Sequence, residues 1–393
     1  MRNVVGKPVT GSNFFGREQE LEELGEITRD EHVLLLAPRR VGKTSLLLAL
    51  QSEVSQERSA IGVYVSVAAA TNELQFVRSV LQAIYETRPG KRLKPNVIAA
   101  WLRRHGRRLK GVKVAGTGFD LEGAPTPEWQ EEADKVFTAL ATMGTPWLIM
   151  IDELPTLVLS LARQDPSGAR VRAFLQWFRN LRQLPLGTES LRFVLAGSIG
   201  LDNVTNRHRL TDTINDLRDW RLGPFSRESA DRFLAELARG YQLELGPELR
   251  GAICDHAEWL IPYHLQVIFS ALREQCGGRT PPSAALLDRA IEALLSRKAY
   301  FAYWDERLHD AFGAPEDDLA RAMLATCARD PRGATASALQ QSIAREVPNP
   351  RERAAAAAWI LDVLGNDGYL VDEAGRSRFR SGLLRRYWLS QLA

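Results

Sequence analysis

Lys43 and Thr44, set behind Gly42 in the run Ala37-Pro38-Arg39-Arg40-Val41-Gly42-Lys43-Thr44, are the residues of this chain best suited to phosphate chemistry. The run fits the phosphate-loop pattern G-x-x-x-x-G-K-[ST], with alanine at the first glycine. Backbone N–H groups of such a loop, and of the helix it opens, cradle phosphate oxygens, while the lysine ammonium reaches the β- and γ-phosphates. Pro38, Arg39, Arg40, Val41, Gly42, Lys43, Thr44 and Ser45 are therefore expected to hold ATP, with the Thr44 hydroxyl on Mg2+. Alanine at position 37 is tolerated if its backbone stays in a region open to L-residues. The glycine that must admit the phosphates closely is Gly42, and it is present.

"WLIMIDELP" supplies the second half of such a site: an apolar strand ending in adjacent acids, Asp152 and Glu153. Asp152 is expected in the Mg2+ shell, and Glu153 is expected to activate the attacking water. Adjacent strand residues point to opposite sides, but at the strand's carboxyl end the chain is leaving the sheet, so both acids can face one crevice. "VLAGS" ends another apolar run, placing Ser198 to bond the γ-phosphate or the lytic water.

These groups need a scaffold. Strands are predicted at His32–Ala37, Ile61–Val67, Pro146–Pro155 and Leu191–Ser198, and helices from Gly42, over Asn72–Tyr85 and over Gly168–Leu184. Nearly continuous apolar strands alternating with helices predict a doubly covered parallel sheet, an α/β P-loop fold. From Ser226 to about Arg297 the text is helical throughout. Helices at Asp317–Cys327, Ser337–Arg345 and Pro350–Leu364, then two short strands around "DEAGRS", fit a winged helix-turn-helix. The expected domains are a core over 1–225, with an insert at about 88–126, a helical lid over 226–300 and a winged helix over 301–393.

The chain has 393 residues, 45% hydrophobic and 25% charged, values of a soluble globular protein of two or three domains. No run approaches a membrane span, and the first residues lack the apolar core of a signal peptide. Cys254, Cys276 and Cys327 are widely spaced and show no zinc or disulfide pattern, which fits a reducing cytoplasm. The net charge of +3 decides nothing; its distribution says more.

"FFGREQELEEL", "APRRVGKTS", "IDELP", "AGSIGL", "LGPFSRESA" and "FRSGLLRRYW", in this order, resemble the archaeal/bacterial ATPase family at the border of AAA+ and STAND P-loop proteins. The resemblance covers nearly the whole chain and implies an ATPase core, a helical lid and a C-terminal winged helix. It implies that Phe15, Gly16, Arg17 and Glu18 lie near the adenine, and that Pro262 in "WLIPYHLQ" belongs to the lid segment that approaches the nucleotide. The glycine that precedes this proline in the family is absent here. AAA+ relatives complete the site with an arginine from a neighbouring subunit, a role open to Arg207, Arg209 and Arg218 and one that implies a nucleotide-dependent homo-oligomer.

From Arg88 to Lys113 basic residues follow one another with no acid, among them Arg103, Arg104, Arg107 and Arg108 around Trp101. Such a stretch neutralises nucleic-acid phosphates, lies solvated, or docks on an acidic partner. In the winged-helix region Arg351 and Arg353 open the expected recognition helix, and Arg376, Arg378 and Arg380 lie on the wing. Two outputs of ATP use stay open: a motor or loader acting on DNA, and an ATP/ADP switch that regulates a protein partner.

Overall fold

Val33–Leu36, with four apolar residues buried on both faces, and Trp147–Asp152, with five before its buried acid, can be strands only inside a covered parallel sheet. The computed structural model describes residues 1–57, 59–92, 101, 128–184, 191–197, 201, 205, 210–278, 280–297 and 299–392. The chain divides into two compact units, one of residues 19–36 and 46–221, the other of 1–18, 37–45 and 222–393.

The first unit holds the sheet: β1 (Val33–Leu36), β2 (Ile61–Ser66), β3 (Trp147–Asp152), β4 (Leu191–Gly197) and β5 (Arg218–Arg221). Among the described residues the strand order is β2-β3-β4-β1-β5, and every pairing is parallel. Asp152 pairs with Ala196 and Leu36 with Gly197, so the carboxyl ends of β3, β4 and β1 form one edge. Four strands lie where the apolar runs predict them. The fifth, "RDWR", is largely exposed and charged, as an edge strand can be, and hydrophobic patterning gives no sign of it.

Helices α1 (Glu18–Asp30), α2 (Lys43–Gln56), α3 (Glu73–Glu86), α4 (Glu128–Ala141), α5 (Leu154–Gln164) and α6 (Ala169–Arg182) flank these strands in sequence. α3 starts where Asn72 accepts from the Gln75 N–H at 2.9 Å, satisfying one orphan donor of its first turn. Polar "EQELEELGEITRD" reads as a lead-in, yet it forms α1, because burying Leu24 and Thr28 needs only a narrow stripe. Phe76, Phe174, Phe178 and Phe193 meet edge-on at ring separations of 5.1 to 5.5 Å in the core. At the end of α6 the buried Arg182 forks onto Asp216 through two 2.8 Å bonds. This pair ties the segment before β5 to the body of the unit.

The second unit contains the phosphate-loop residues 37–45 with two helical groups. α7 (Arg227–Gly240), α8 (Pro247–Ala257), α9 (Pro262–Cys276) and α10 (Ala284–Ser296) share a core around Phe233, Leu265 and Phe269. Next come α11 (Ala299–Phe312), α12 (Glu316–Arg329), β6 (Ala334–Thr335), α13 (Ala336–Ser342), α14 (Pro350–Asn366), β7 (Leu370–Glu373), β8 (Arg376–Phe379) and α15 (Gly382–Ser390). β6, β8 and β7 form an antiparallel sheet in that order. The two strands predicted around "DEAGRS" are joined by Ala374 and Gly375, both at positive φ, as a tight hairpin turn requires. Among the described residues no helix is long and apolar enough to cross a membrane.

Candidate functional site

Out of β1 the chain enters the phosphate loop, where φ is +67° at Arg40 and +103° at Gly42. An L-residue is strained at the second value, so the glycine is required there, and no atom lies within 4 Å of where its Cβ would be. Lys43 then opens α2 and is only 6% exposed. The Ser45 hydroxyl accepts from the Val9 N–H at 3.0 Å.

The loop is braced from several sides within its own unit. Arg17 is 3% exposed and donates through Nη2 to the carbonyls of Val41 (3.2 Å) and Gly223 (2.7 Å), with its guanidinium 4.4 Å from the Phe225 ring centre. Arg40 lies 4.5 Å over the Tyr263 ring and donates to the Gly6 carbonyl at 3.4 Å. Tyr263 follows Pro262 in the first turn of α9, so the segment around Pro262 touches the loop through its tyrosine. Pro38 packs near Trp259 and Gly368: a Cβ on Gly368, where φ is +91°, would lie 2.4 Å from the Trp259 ring and 3.2 Å from Pro38. Phe15 packs on Phe233 at 6.2 Å, and the Gly16 N–H donates to Glu18 at 3.0 Å.

In the sheet unit, β3 delivers Asp152, 2% exposed. Its Oδ1 accepts from the Glu153 N–H at 3.0 Å and its Oδ2 from the Tyr64 hydroxyl at 3.2 Å. Glu153 has φ +64° and ψ +28°, a left-handed residue between the strand and α5. That conformation breaks strand alternation, the physical condition under which adjacent acids cease to point to opposite faces. The Glu153 carboxylate accepts from the Thr156 hydroxyl at 3.3 Å. Non-glycine residues in this region are costly and concentrate at functional positions.

Ser198, Arg207, Arg209 and the basic residues Arg103, Arg104, Arg107 and Arg108 lie outside the described residues. Arg218 starts β5 opposite Val33, at the amino edge of the sheet, and pairs with Glu31 at 3.4 Å. In the C-terminal group, Arg351 is exposed in the first turn of α14. Arg353 turns back to the carbonyls of Val347 (3.4 Å) and Pro348 (3.3 Å). Arg378 pairs with Glu373, and Arg376 bonds the Gly333 carbonyl and Asp330. Arg380 donates to the Leu370 and Gly365 carbonyls beneath Trp259, and burial pushes its guanidinium pKa down, with Arg378 adding to the effect.

Tyr64, the N-terminal contacts of Gly6 and Val9, and the Gly368 turn carry no motif; each reaches the loop or the acids from far away in sequence.

A parallel sheet of this order, with a glycine-lysine loop leaving β1 and an acid pair ending β3, is the α/β fold of AAA+-type P-loop ATPases. The chain is similar to a Walker-type ATPase of Pyrococcus abyssi, at 16% identity over 99% of both chains with a TM-score of 0.65. It is also similar to the ORC2 protein of Aeropyrum pernix in its ADP form, at 14% identity over 98% of this chain and 97% of that one, with a TM-score of 0.52. At these identities the likeness is one of fold, and it extends over the whole length. No family model matches the sequence, and no curated protein does.

Proposed function

We propose that this protein binds ATP with Mg2+ and hydrolyses it, and that the nucleotide state sets the arrangement of the α7–α10 and C-terminal groups. The observation that carries the reading is the backbone of the loop: left-handed values at Arg40 and Gly42 directly before Lys43 and the start of α2. Such a turn aims successive N–H groups into an anion-binding concavity.

The donor set fits the metal. The Thr44 hydroxyl and the Asp152 carboxylate are hard oxygen donors of the kind Mg2+ takes alongside phosphate and water oxygens. Bound Mg2+ would neutralise charge on the β- and γ-phosphate oxygens. Lys43 places its ammonium against the same charge. Glu153 accepts the proton of a water attacking the γ-phosphorus as the bond to the β–γ bridging oxygen breaks, leaving ADP and phosphate. Ser198 stays a proposed γ-phosphate contact.

Of the two outputs, the switch has a specific observation in its favour. Residues 37–45 belong to the compact unit that also holds α7 to α15, so a change in the loop is felt by Tyr263, Trp259 and Gly368. We read α12–α14 with β7 and β8 as a winged helix, and in it Arg353, Arg376, Arg378 and Arg380 bond to nearby carbonyls and carboxylates. The DNA reading is supported by the basic run through Arg103, Arg104, Arg107 and Arg108 and by exposed Arg351. Steady-state ATP hydrolysis with and without duplex DNA at low salt, beside sizing in ATP and in ADP, separates them. A DNA motor is stimulated by DNA; a switch changes shape or partner binding with nucleotide and ignores DNA. Absence of ATP binding sinks both.

A further inference from the structure

We infer that Arg17 is a positioning residue that holds the phosphate loop in its binding form, rather than a contact to the nucleotide base. This rests on the ATP-binding reading above and deepens it. A guanidinium taken out of water needs hydrogen-bond partners to offset its desolvation. Arg17, 3% exposed, sets Nη2 on the backbone carbonyls of Val41 and Gly223 and its guanidinium over the Phe225 ring. The approach is built from both sides: a Cβ on Gly16, the residue before, would lie 3.2 Å from the Phe225 ring.

The consequence lies in the peptide that Arg17 grips. In a trans peptide the C=O and the next N–H point in opposite directions. Holding the Val41 carbonyl therefore holds the Gly42 N–H aimed away from Arg17. Gly42 immediately precedes α2 and is the residue whose amide must face phosphate. It is also the residue least able to fix itself, because glycine rotates freely between wells. With Arg40 left-handed on one side and Gly42 on the other, the Val41–Gly42 peptide is the part of the loop most able to flip. A charge-assisted hydrogen bond to a fully buried carbonyl opposes the flip. The second bond, to Gly223, fixes the arginine to the segment between β5 and α7, so the loop is held to the start of the lid.

The test compares ATP with inorganic tripolyphosphate, which has the phosphates and no base, by competition against a fluorescent ATP analogue on the full chain. Arg17→Lys keeps the charge but has one ammonium for two carbonyls, and Arg17→Gln removes the charge. Both should lose ATP and tripolyphosphate affinity in parallel by about tenfold, Gln more than Lys. Loss of ATP affinity with tripolyphosphate unchanged makes Arg17 a base contact and overturns the proposal. A lowered melting temperature with both affinities unchanged reduces it to a structural residue and also overturns it. So does a wild type that binds ATP but no tripolyphosphate, since a preformed loop takes phosphate alone. If both Arg17 variants fail to fold, Phe225→Leu, which removes the face under the guanidinium, should show the same parallel loss at smaller size; unchanged affinities there count against it. A wild type that binds neither ligand fails the ATP-binding reading itself.

Discussion

Glu153 joins two demands that conflict in an ordinary strand. It follows a buried acid, and it must stand clear of the sheet; a left-handed backbone resolves the conflict at an expense of about 1 kcal/mol or more. Replacing Glu153 by glutamine leaves the backbone demand and the bond from Thr156 in place and removes the proposed proton acceptor. The expected outcome is retained ATP affinity with hydrolysis slowed about a hundredfold or more, read by single-turnover phosphate release. Normal turnover would remove Glu153 from the mechanism. Tyr64→Phe should act more gently, removing one hydrogen bond to Asp152 and lowering Mg2+-dependent ATP affinity a few-fold at nearly unchanged thermal stability. Gly42, Lys43, Thr44, Asp152 and Glu153 are legible from sequence because each acts within a few residues of its neighbours. Tyr64, Tyr263 and Gly368 are not, because their roles exist only once strands or helices distant in sequence come together. Arg17 stands between: its motif points to the site, and only the fold shows that it touches Val41 and Gly223.

At the scale of elements, two histidines, His32 half-buried and His264 buried, set a pH limit. His32, at the entrance to β1, accepts from the Phe193 N–H at 3.1 Å and donates to the Arg182 carbonyl at 3.1 Å, so it is neutral when folded. His264, in the first turn of α9, is enclosed by Trp259, Tyr263 and Trp304. Burial pushes both imidazoles from 6.5 down to about 4. The unfolded chain takes up protons near its ordinary value while the folded one does not, so the stabilisation is complete above about pH 6.5 and is lost as pH falls toward 4. Each histidine contributes on the order of 3 kcal/mol to that loss. Thermal melts between pH 7.5 and pH 5 should show it for the wild type, with a shallower fall in His32→Asn and in His264→Asn; an unchanged slope in both removes the histidines as the cause. Gly368→Ala tests a different element, the turn between α14 and β7. Its φ and the nearness of the Trp259 ring predict a loss of about 1–3 kcal/mol, together with weaker ATP binding as Pro38 is displaced. Core strands are the most readable elements because both faces must be apolar; β5 escapes notice because an edge strand can afford charge.

On the scale of the whole molecule, the two sets of arginines proposed as DNA contacts lead to separate expectations. Arg353, Arg376, Arg378 and Arg380 bond to nearby carbonyls and carboxylates, so changing them should lower stability more than DNA affinity. If DNA is bound through Arg103, Arg104, Arg107 and Arg108, affinity should fall steeply between 50 and 200 mM salt, with each Arg→Ala reducing the log–log slope by about one. Fluorescence anisotropy with a labelled duplex reads both effects, and a flat salt response removes the run as a DNA contact.

The membership of residues 37–45 bears on how this chain could change over time. Nine residues that the polypeptide inserts between β1 and the rest of α2 have their braces at Gly6, Val9, Arg17, Tyr263 and Gly368. A gene fragment ending after β5 would encode the sheet and every residue of the loop, yet none of the braces beyond residue 221. Any new sequence joined after β5 would have to re-create a tyrosine for Arg40 and a side-chain-free turn for Pro38 to keep these contacts. The inheritance of the loop is thereby tied to that of the residues that brace it.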